Sequence, residues 1–144
     1  MKKLLAAVIA AALIVSLTAC AHPGKTEHVS ERIGASTKFS QEEIRSAMDC
    51  VKKKFRDFKG CELTDLWYDE AKSDQIVPDY LKHGRGALVG ATAENTIVLL
   101  SNFKTGPSSI NDGFNPNSSY TDWIWILIRD NENADWKADD WGVW

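Results

Sequence analysis

Histidine and cysteine are scarce in this chain, three of each in 144 residues, and the scarcity bears on metal chemistry first. A metal centre needs clustered His, Cys, Asp or Glu ligands. His22 and His28 lie in a polar stretch near the amino terminus, and His83 stands alone and reads as a surface residue. Asn111-Asp112-Gly113-Phe114-Asn115 has oxygen donors and a glycine, but not the spacing or terminal Glu of a calcium loop, so it reads as a turn. No Gly-x-Ser-x-Gly elbow or phosphate-cradling glycine loop occurs, and Gly84-Arg85-Gly86 is too short to be one. No metal or cofactor is expected. Basic runs are also few. Lys52-Lys53-Lys54 is the only cluster, and on a helix its members point in different directions, which reads as a solvated face.

The first twenty residues are unlike the rest. Lys2 and Lys3 precede an apolar run from Leu4 to Leu17, and Leu17-Thr18-Ala19-Cys20 follows. The run is short for a stable span, which needs roughly 20 apolar residues. The pattern resembles a bacterial lipoprotein signal with its Leu-x-Ala-Cys lipobox, small Ala19 suiting the cleavage pocket and the Cys20 thiol taking the lipid. The alternatives are an ordinary secretory signal that holds a cysteine, or an uncleaved anchor. Cleavage would remove residues 1–19, leaving residues 20–144 with 15 basic and 20 acidic residues, a net charge of −5. Such a balance suits neither nucleic acid nor an anionic membrane surface. No second membrane segment follows in the sequence. Attachment would be through two acyl chains on Cys20, each buried CH₂ contributing about 0.8 kcal/mol.

Residues 20–38 are polar, carry Pro23, Gly24 and Gly34, lack a hydrophobic period, and read as a flexible tether. A single domain over 39–144 is expected. Ser40-Gln41-Glu42-Glu43 is a capping box with Phe39 placed as a staple before it. Ile44, Ala47, Met48, Val51, Phe55 and Phe58 then mark one amphipathic helix that Gly60 stops. Glu62 to Tyr68 has an extended pattern. Asp69 to Gly86 is polar and broken by Pro78 and Gly84, with at most a short helical turn over Val77–Leu81. Strands are expected over Asn95–Lys104, Tyr120–Arg129 and Asp135–Trp144, the last two as a hairpin through Asn131-Glu132-Asn133. The fold class is therefore α+β: one long N-terminal helix packed on a curved, mostly antiparallel sheet.

The strand from Tyr120 is apolar on both faces, with Trp123, Trp125 and Leu127 on one and Ile124, Ile126 and Ile128 on the other. A lone helix covers one side of a sheet. The other needs a curl of the sheet, the 69–86 segment, a ligand or a partner.

With Cys20 taken by lipid, Cys50 and Cys61 remain and are expected to pair as a disulfide in an oxidising compartment, the alternative being two buried thiols. Bonding requires Cα atoms within roughly 7 Å, so the helix would have to stop near Arg56. The carboxylates Asp65, Asp69, Glu70, Asp122, Asp130, Asp139 and Asp140 read as solvated or capping groups, since neighbours along a strand point to opposite faces. Arg129 beside Asp130 reads as a structural ion pair. Six tryptophans are many for this length, and core filling accounts for them first. A ligand or partner face, where one exists, is expected at Trp123 and Trp125.

Asp49-Cys50-Val51, Phe58-Lys59-Gly60-Cys61, Leu66-Trp67-Tyr68-Asp69-Glu70, Val98-Leu99-Leu100-Ser101-Asn102-Phe103, Asn115-Pro116-Asn117-Ser118, Tyr120-Thr121-Asp122-Trp123, Trp125-Ile126-Leu127-Ile128-Arg129-Asp130 and Asp140-Trp141-Gly142 form a set. Together they resemble an uncharacterised family of small lipoproteins, mostly from Gram-positive, clostridial-type bacteria. They are also similar to the end domains of membrane metallopeptidases of the beta-lactam-sensor type. The resemblance runs from about Phe39 to Gly142. The His-Glu-x-x-His zinc motif of those peptidases is absent, so it implies no protease activity. The element order is similar to cone-shaped folds related to nuclear transport factor 2 or cystatin, an analogy of fold alone. The expected function is a lipid-anchored, extracytoplasmic binding or accessory domain of the cell envelope, held at the cell membrane through Cys20 and possessing an envelope protein partner. The alternative is a small hydrolase- or isomerase-like enzyme with a cone-shaped acidic pocket.

Overall fold

The computed structural model of the chain describes residues 22–108 and 113–144. The segment 1–19 expected to be a signal, Cys20 and the Asn111-Asp112 part of the expected glycine turn lie outside the described residues. Strand β1 (Ser30–Ile33) leads into helix α1 (Gln41–Phe55) and strand β2 (Cys61–Tyr68). Helices α2 (Glu70–His83) and α3 (Arg85–Val89) follow, then a 3₁₀ turn over Ala93–Asn95. Strands β3 (Thr96–Thr105), β4 (Ser119–Ile128) and β5 (Lys137–Gly142) complete one sheet in the order β1-β2-β3-β4-β5. Among the described residues no helix is long and apolar enough to cross a membrane.

The expected α+β fold with one long N-terminal helix is overturned. Among the described residues the chain is a mixed α/β domain in which a strand comes first and three helices of 15, 14 and 5 residues accompany a five-stranded sheet. Strand β1 runs parallel to β2, pairing Ser30 with Asp65 and Ile33 with Tyr68, while the other pairings are antiparallel. Parallel neighbours need a crossover, and α1 supplies it. Strand β1 escaped the sequence pattern because it is an edge strand with its residues exposed or half-buried, so it carries no alternation.

The supposed tether is held against the domain along much of its length. Gly24 N donates to Arg56 O at 3.0 Å, Lys25 N to Cys61 O at 2.9 Å and Gly60 N to His22 O at 2.9 Å. Lys25 also forms a parallel bridge with Glu62. Further along, the Glu70 carboxylate accepts hydrogen bonds from Ser36 Oγ and from the amides of Thr37 and Lys38.

Helix α1 starts as its capping box dictates. Glu43 N donates to Ser40 Oγ at 3.1 Å, and Ser40 N donates to Glu43 Oε2 at 2.7 Å. Ile44, Ala47, Met48, Val51 and Phe55 are fully buried on Leu63, Leu66, Ile97, Leu99, Trp125 and Leu127. The helix ends at Phe55, so Phe58 packs from the following turn. Helix α2 replaces the short turn expected around Pro78. Asp69 caps it by accepting from Lys72 N at 3.1 Å, and the stripe Ser73, Ile76, Val77, Tyr80 faces the sheet. Pro78 removes one amide from the helix ladder, yet helix and proline coexist because Ile76, Val77 and Tyr80 are buried on Val98, Leu100, Ile124 and Ile126. The second apolar face of β4 is therefore closed by the 69–86 segment.

Three bulges decide which residues share a face. Thr64 is the extra residue of β2, Thr121-Asp122 opposes Asn102 alone, and Asp139 is the extra residue of β5. Asp122 takes a positive φ of 54° there, a conformation that short polar side chains tolerate. Asn102 joins two of the bulges: its backbone carbonyl accepts from Thr64 Oγ1 and its Oδ1 accepts from Asp122 N, both within 3.1 Å.

Candidate functional site

A large recess lies where four segments meet: the start of α1, the 3₁₀ turn, the end of β4 and the connection to β5. It has a volume of about 780 Å³ and is lined by Lys38, Phe39, Glu43, Glu94, Asn95, Arg129 and Glu132, among others. Arg129 forms its floor. That residue follows the last position of β4, where the strand leaves the sheet, and its side chain is only 6% exposed.

A buried guanidinium requires partners for its donors. Arg129 Nη1 donates to Glu43 Oε1 at 2.8 Å and to Glu132 O at 3.4 Å. Nε donates to Asn95 Oδ1 at 3.2 Å, and Nη2 to Glu94 O at 3.5 Å. Its carbon lies 4.4 Å from the Trp136 ring centroid and 5.8 Å from that of Phe39, an arrangement in which the cation meets the electron-rich ring faces. The ion pair expected with Asp130 is made elsewhere: Asp130 meets Lys137 at 3.5 Å, and Arg129 takes Glu43. The Ser40 amide holds the Glu43 carboxyl below the ordinary glutamate range, against the opposing effect of burial, and Arg129 adds to it. The floor is thus an internally satisfied ion pair, while the rim carries the exposed side chains of Glu94, Asn131 and Glu132. Such a recess can hold a ligand by hydrogen bonding and by negative rim charge.

A second polar cluster ties α2 to β5. Tyr80 Oη donates to Asp139 Oδ2 at 2.6 Å, and Arg85 adds Nε and Nη2 contacts at 3.2 and 3.3 Å. Burial and the Asp139 carboxylate push the Tyr80 phenol well above its ordinary range. Gly84-Arg85-Gly86 finds its purpose here: a Cβ on Gly86 would stand 2.7 Å from Tyr80 Cε1. The bulge at Asp139 brings this carboxylate to the helix, a placement that strand alternation alone conceals.

The Trp123 and Trp125 face is turned inward. Trp125 is fully buried, donates from Nε1 to Ser101 Oγ at 2.9 Å and packs near Phe55 and Phe58. Trp123 lies half-buried among Phe58, Phe103, Phe114 and Tyr120. Among the described residues its buried indole N–H has no acceptor, and nothing in the structure explains this. The face proposed for a ligand is occupied by α1 and this aromatic cluster.

The disulfide expected between Cys50 and Cys61 is not formed. The helix does stop where bonding would require, but Cys50 Sγ turns to Trp136 O at 3.3 Å, and Cys61 Sγ lies 3.7 Å from Lys59 O at the start of β2. Among the other carboxylates, Asp69 caps α2 and Asp65 accepts from Asn102 Nδ2 at 3.3 Å. His83 is exposed and meets Asp79 at 2.8 Å. No known protein family, curated protein or solved structure matches the chain.

Proposed function

We propose that the protein is a lipid-anchored, extracytoplasmic accessory domain of the cell envelope, which binds a partner or ligand in the Arg129 cleft. The observation that carries the reading is the placement of that cleft relative to the anchor. His22 follows Cys20 by two residues and is bonded to Gly60, at the end of the sheet where β2 begins and β3 finishes. The cleft stands at the opposite end, where β3 begins and β4 finishes. Ten residues of β3 separate the two ends, about 30 Å at a strand's rise per residue. A domain held at one end thus offers the Arg129 cleft away from the bilayer.

Binding is favoured over catalysis because the charged groups of the cleft floor are spent on one another. The deepest carboxylate of the second cluster, Asp139, is likewise engaged by Tyr80 and Arg85. The test is fractionation of cells carrying the Cys20→Ser variant, with fatty-acid labelling of the parent. The expected result is labelled parent in the membrane fraction and unlabelled variant outside it. A variant that stays membrane-bound overturns the anchoring. Recovery of envelope proteins with the lipidated parent, lost on Glu94→Lys/Glu132→Lys substitution at the rim, tests the cleft.

A further inference from the structure

Net charge argues against an anionic surface, but the charges are unevenly placed. Lys25, Arg56, Lys59 and Lys104 are all exposed and gather at the end of the sheet that carries His22. Lys25 and Lys104 line one recess together with His22, Gly60 and Glu62. Arg56 and Gly60 bond the backbone of Gly24 and His22, and Lys59 adjoins Gly60. None of the four cationic side chains is engaged in an ion pair among the described residues. The exposed acids beside them are Asp57, which Lys54 holds at 3.0 Å, Glu62 and, two residues from Lys25, Glu27. The remaining 11 basic and 17 acidic residues of the segment 20–144 leave the rest at a net charge of −6.

The covalent path makes this asymmetry directional. Two residues of chain span at most about 7 Å, so a lipid on Cys20 is tied to His22 by that backbone span plus the short thioether and glycerol linkage. The backbone from His22 to Lys25 is bonded to the domain, so little slack remains for the body to turn away. We infer that the end bearing Lys25, Arg56, Lys59 and Lys104 lies against the anionic phospholipid headgroups of the bilayer that receives the lipid. The inference rests on the anchoring proposed above. The acyl chains hold the protein on the membrane, and the four cations, attracted to headgroup phosphates within a Debye length of the surface, set its orientation. The acidic remainder is repelled from the same surface, which keeps the Arg129 cleft outward.

Lysine footprinting of the lipidated protein tests this without altering the chain. The protein is reconstituted in vesicles of phosphatidylcholine alone, and in vesicles with about one-third phosphatidylglycerol, whose charge sets the attraction. Flotation is checked, the lysines are acetylated briefly, and peptides are quantified by mass spectrometry. Lys25, Lys59 and Lys104 are expected to react about threefold more slowly or less on the anionic vesicles. Lys72, Lys82 and Lys137, which lie on α2 and at the far end of β5, are expected to react equally on both. The protection is expected to vanish at about 1 M salt. Flotation on both vesicles with equal acetylation of all six lysines overturns the orientation and leaves the anchor standing. Failure to float on neutral vesicles overturns the anchor, and the orientation with it.

Discussion

Glu43 and Arg129 lie 86 positions apart in the chain and meet at 2.8 Å, and through them the cap of α1 is joined to the end of the sheet. One carboxylate oxygen of Glu43 accepts the guanidinium, while the other accepts the Ser40 amide that closes the capping box. Trp136, whose ring stacks over the guanidinium, donates its indole N–H to Glu43 O at 3.2 Å. Helix start, strand end and the β4–β5 connection thus share one charged residue.

Arg129 is buried while the Glu43 side chain is 31% exposed, so removing the guanidinium leaves a partly hydrated carboxylate and costs the hydrogen bonds it makes rather than the full penalty of a buried unpaired charge. Arg129→Met is expected to lower unfolding stability by about 1–3 kcal/mol, read by urea denaturation. Glu43→Gln retains an acceptor for the guanidinium and is expected to cost about 1 kcal/mol. A double variant matching the sum of the singles would show that the two residues are not coupled.

The same carboxylate sets an acid limb. Its pKa is depressed in the folded state, so the unfolded chain binds the proton first, and stability rises with pH across the interval between the two values. The contribution of Glu43 is fully present above the unfolded value of about 4.3 and is lost as pH falls through the lower folded value. Thermal unfolding between pH 6 and pH 2 is expected to show a shallower acid decline in Glu43→Gln than in the parent. Identical slopes would remove Glu43 from the acid limb.

Gly24 tests whether residues 22–25 belong to the domain. A Cβ there would stand 2.1 Å from Phe55 O, a backbone atom that cannot swing aside. Gly24→Ala is expected to cost about 1–3 kcal/mol or to detach the segment. In either case hydrogen exchange at Lys25 and Leu63, whose amides are bonded across this seam, should quicken. A loose tether would accept the methyl group with no change at these amides.

The elements that announced themselves are those whose signal is local. The cap at Ser40 and the stripe from Ile44 to Phe55 lie within one helix and read directly. The two apolar faces of β4 required a second covering layer, and the 69–86 segment provides it. That segment hid its helix because Pro78 interrupts it and Ser73 stands in the stripe where an apolar residue is expected. Strand β1 is an exposed edge, stabilised by backbone pairing rather than by burial, so it has no hydrophobic pattern to read. Bulges at Thr64, Asp122 and Asp139 shift the alternation, which is why the meeting of Asp139 with Tyr80 was concealed. Trp123 and Trp125 do share a face, but pairwise spacing cannot say that α1 covers it. The Arg129 cleft was the least legible, because its walls come from segments distant in the chain, and the adjacent Asp130 offered a nearer, incorrect partner.

The state of Cys50 can be read by alkylation. Burial pushes its thiol above the ordinary range, so less thiolate is present at pH 8 and reaction is slowed. Iodoacetamide is expected to modify Cys50 several-fold more slowly in the folded protein than in urea, and to the same final yield with or without reductant. Modification that appears only after reduction would restore the disulfide.

Tyr68 supplies a test at the alkaline end. Its side chain lies at the end of β2 beneath the turn that Glu70 holds, and its phenol donates to Glu70 Oε1 at 3.4 Å. Burial, with the neighbouring Glu70 charge adding to it and Ser36 opposing, raises its pKa to about 12. The sign is opposite to that of Glu43. An unfolded tyrosine loses its proton near pH 10, so between there and about 12 the folded state holds the proton more tightly. Stability from this residue is complete below the unfolded value and falls as pH rises through the interval. Phenolate absorbance should therefore show a late step that Tyr68→Phe removes, and the variant should lose less stability between pH 10 and 12 than the parent. If the substitution removes an early step instead, the phenol is open to solvent and the Glu70 turn does not cover it.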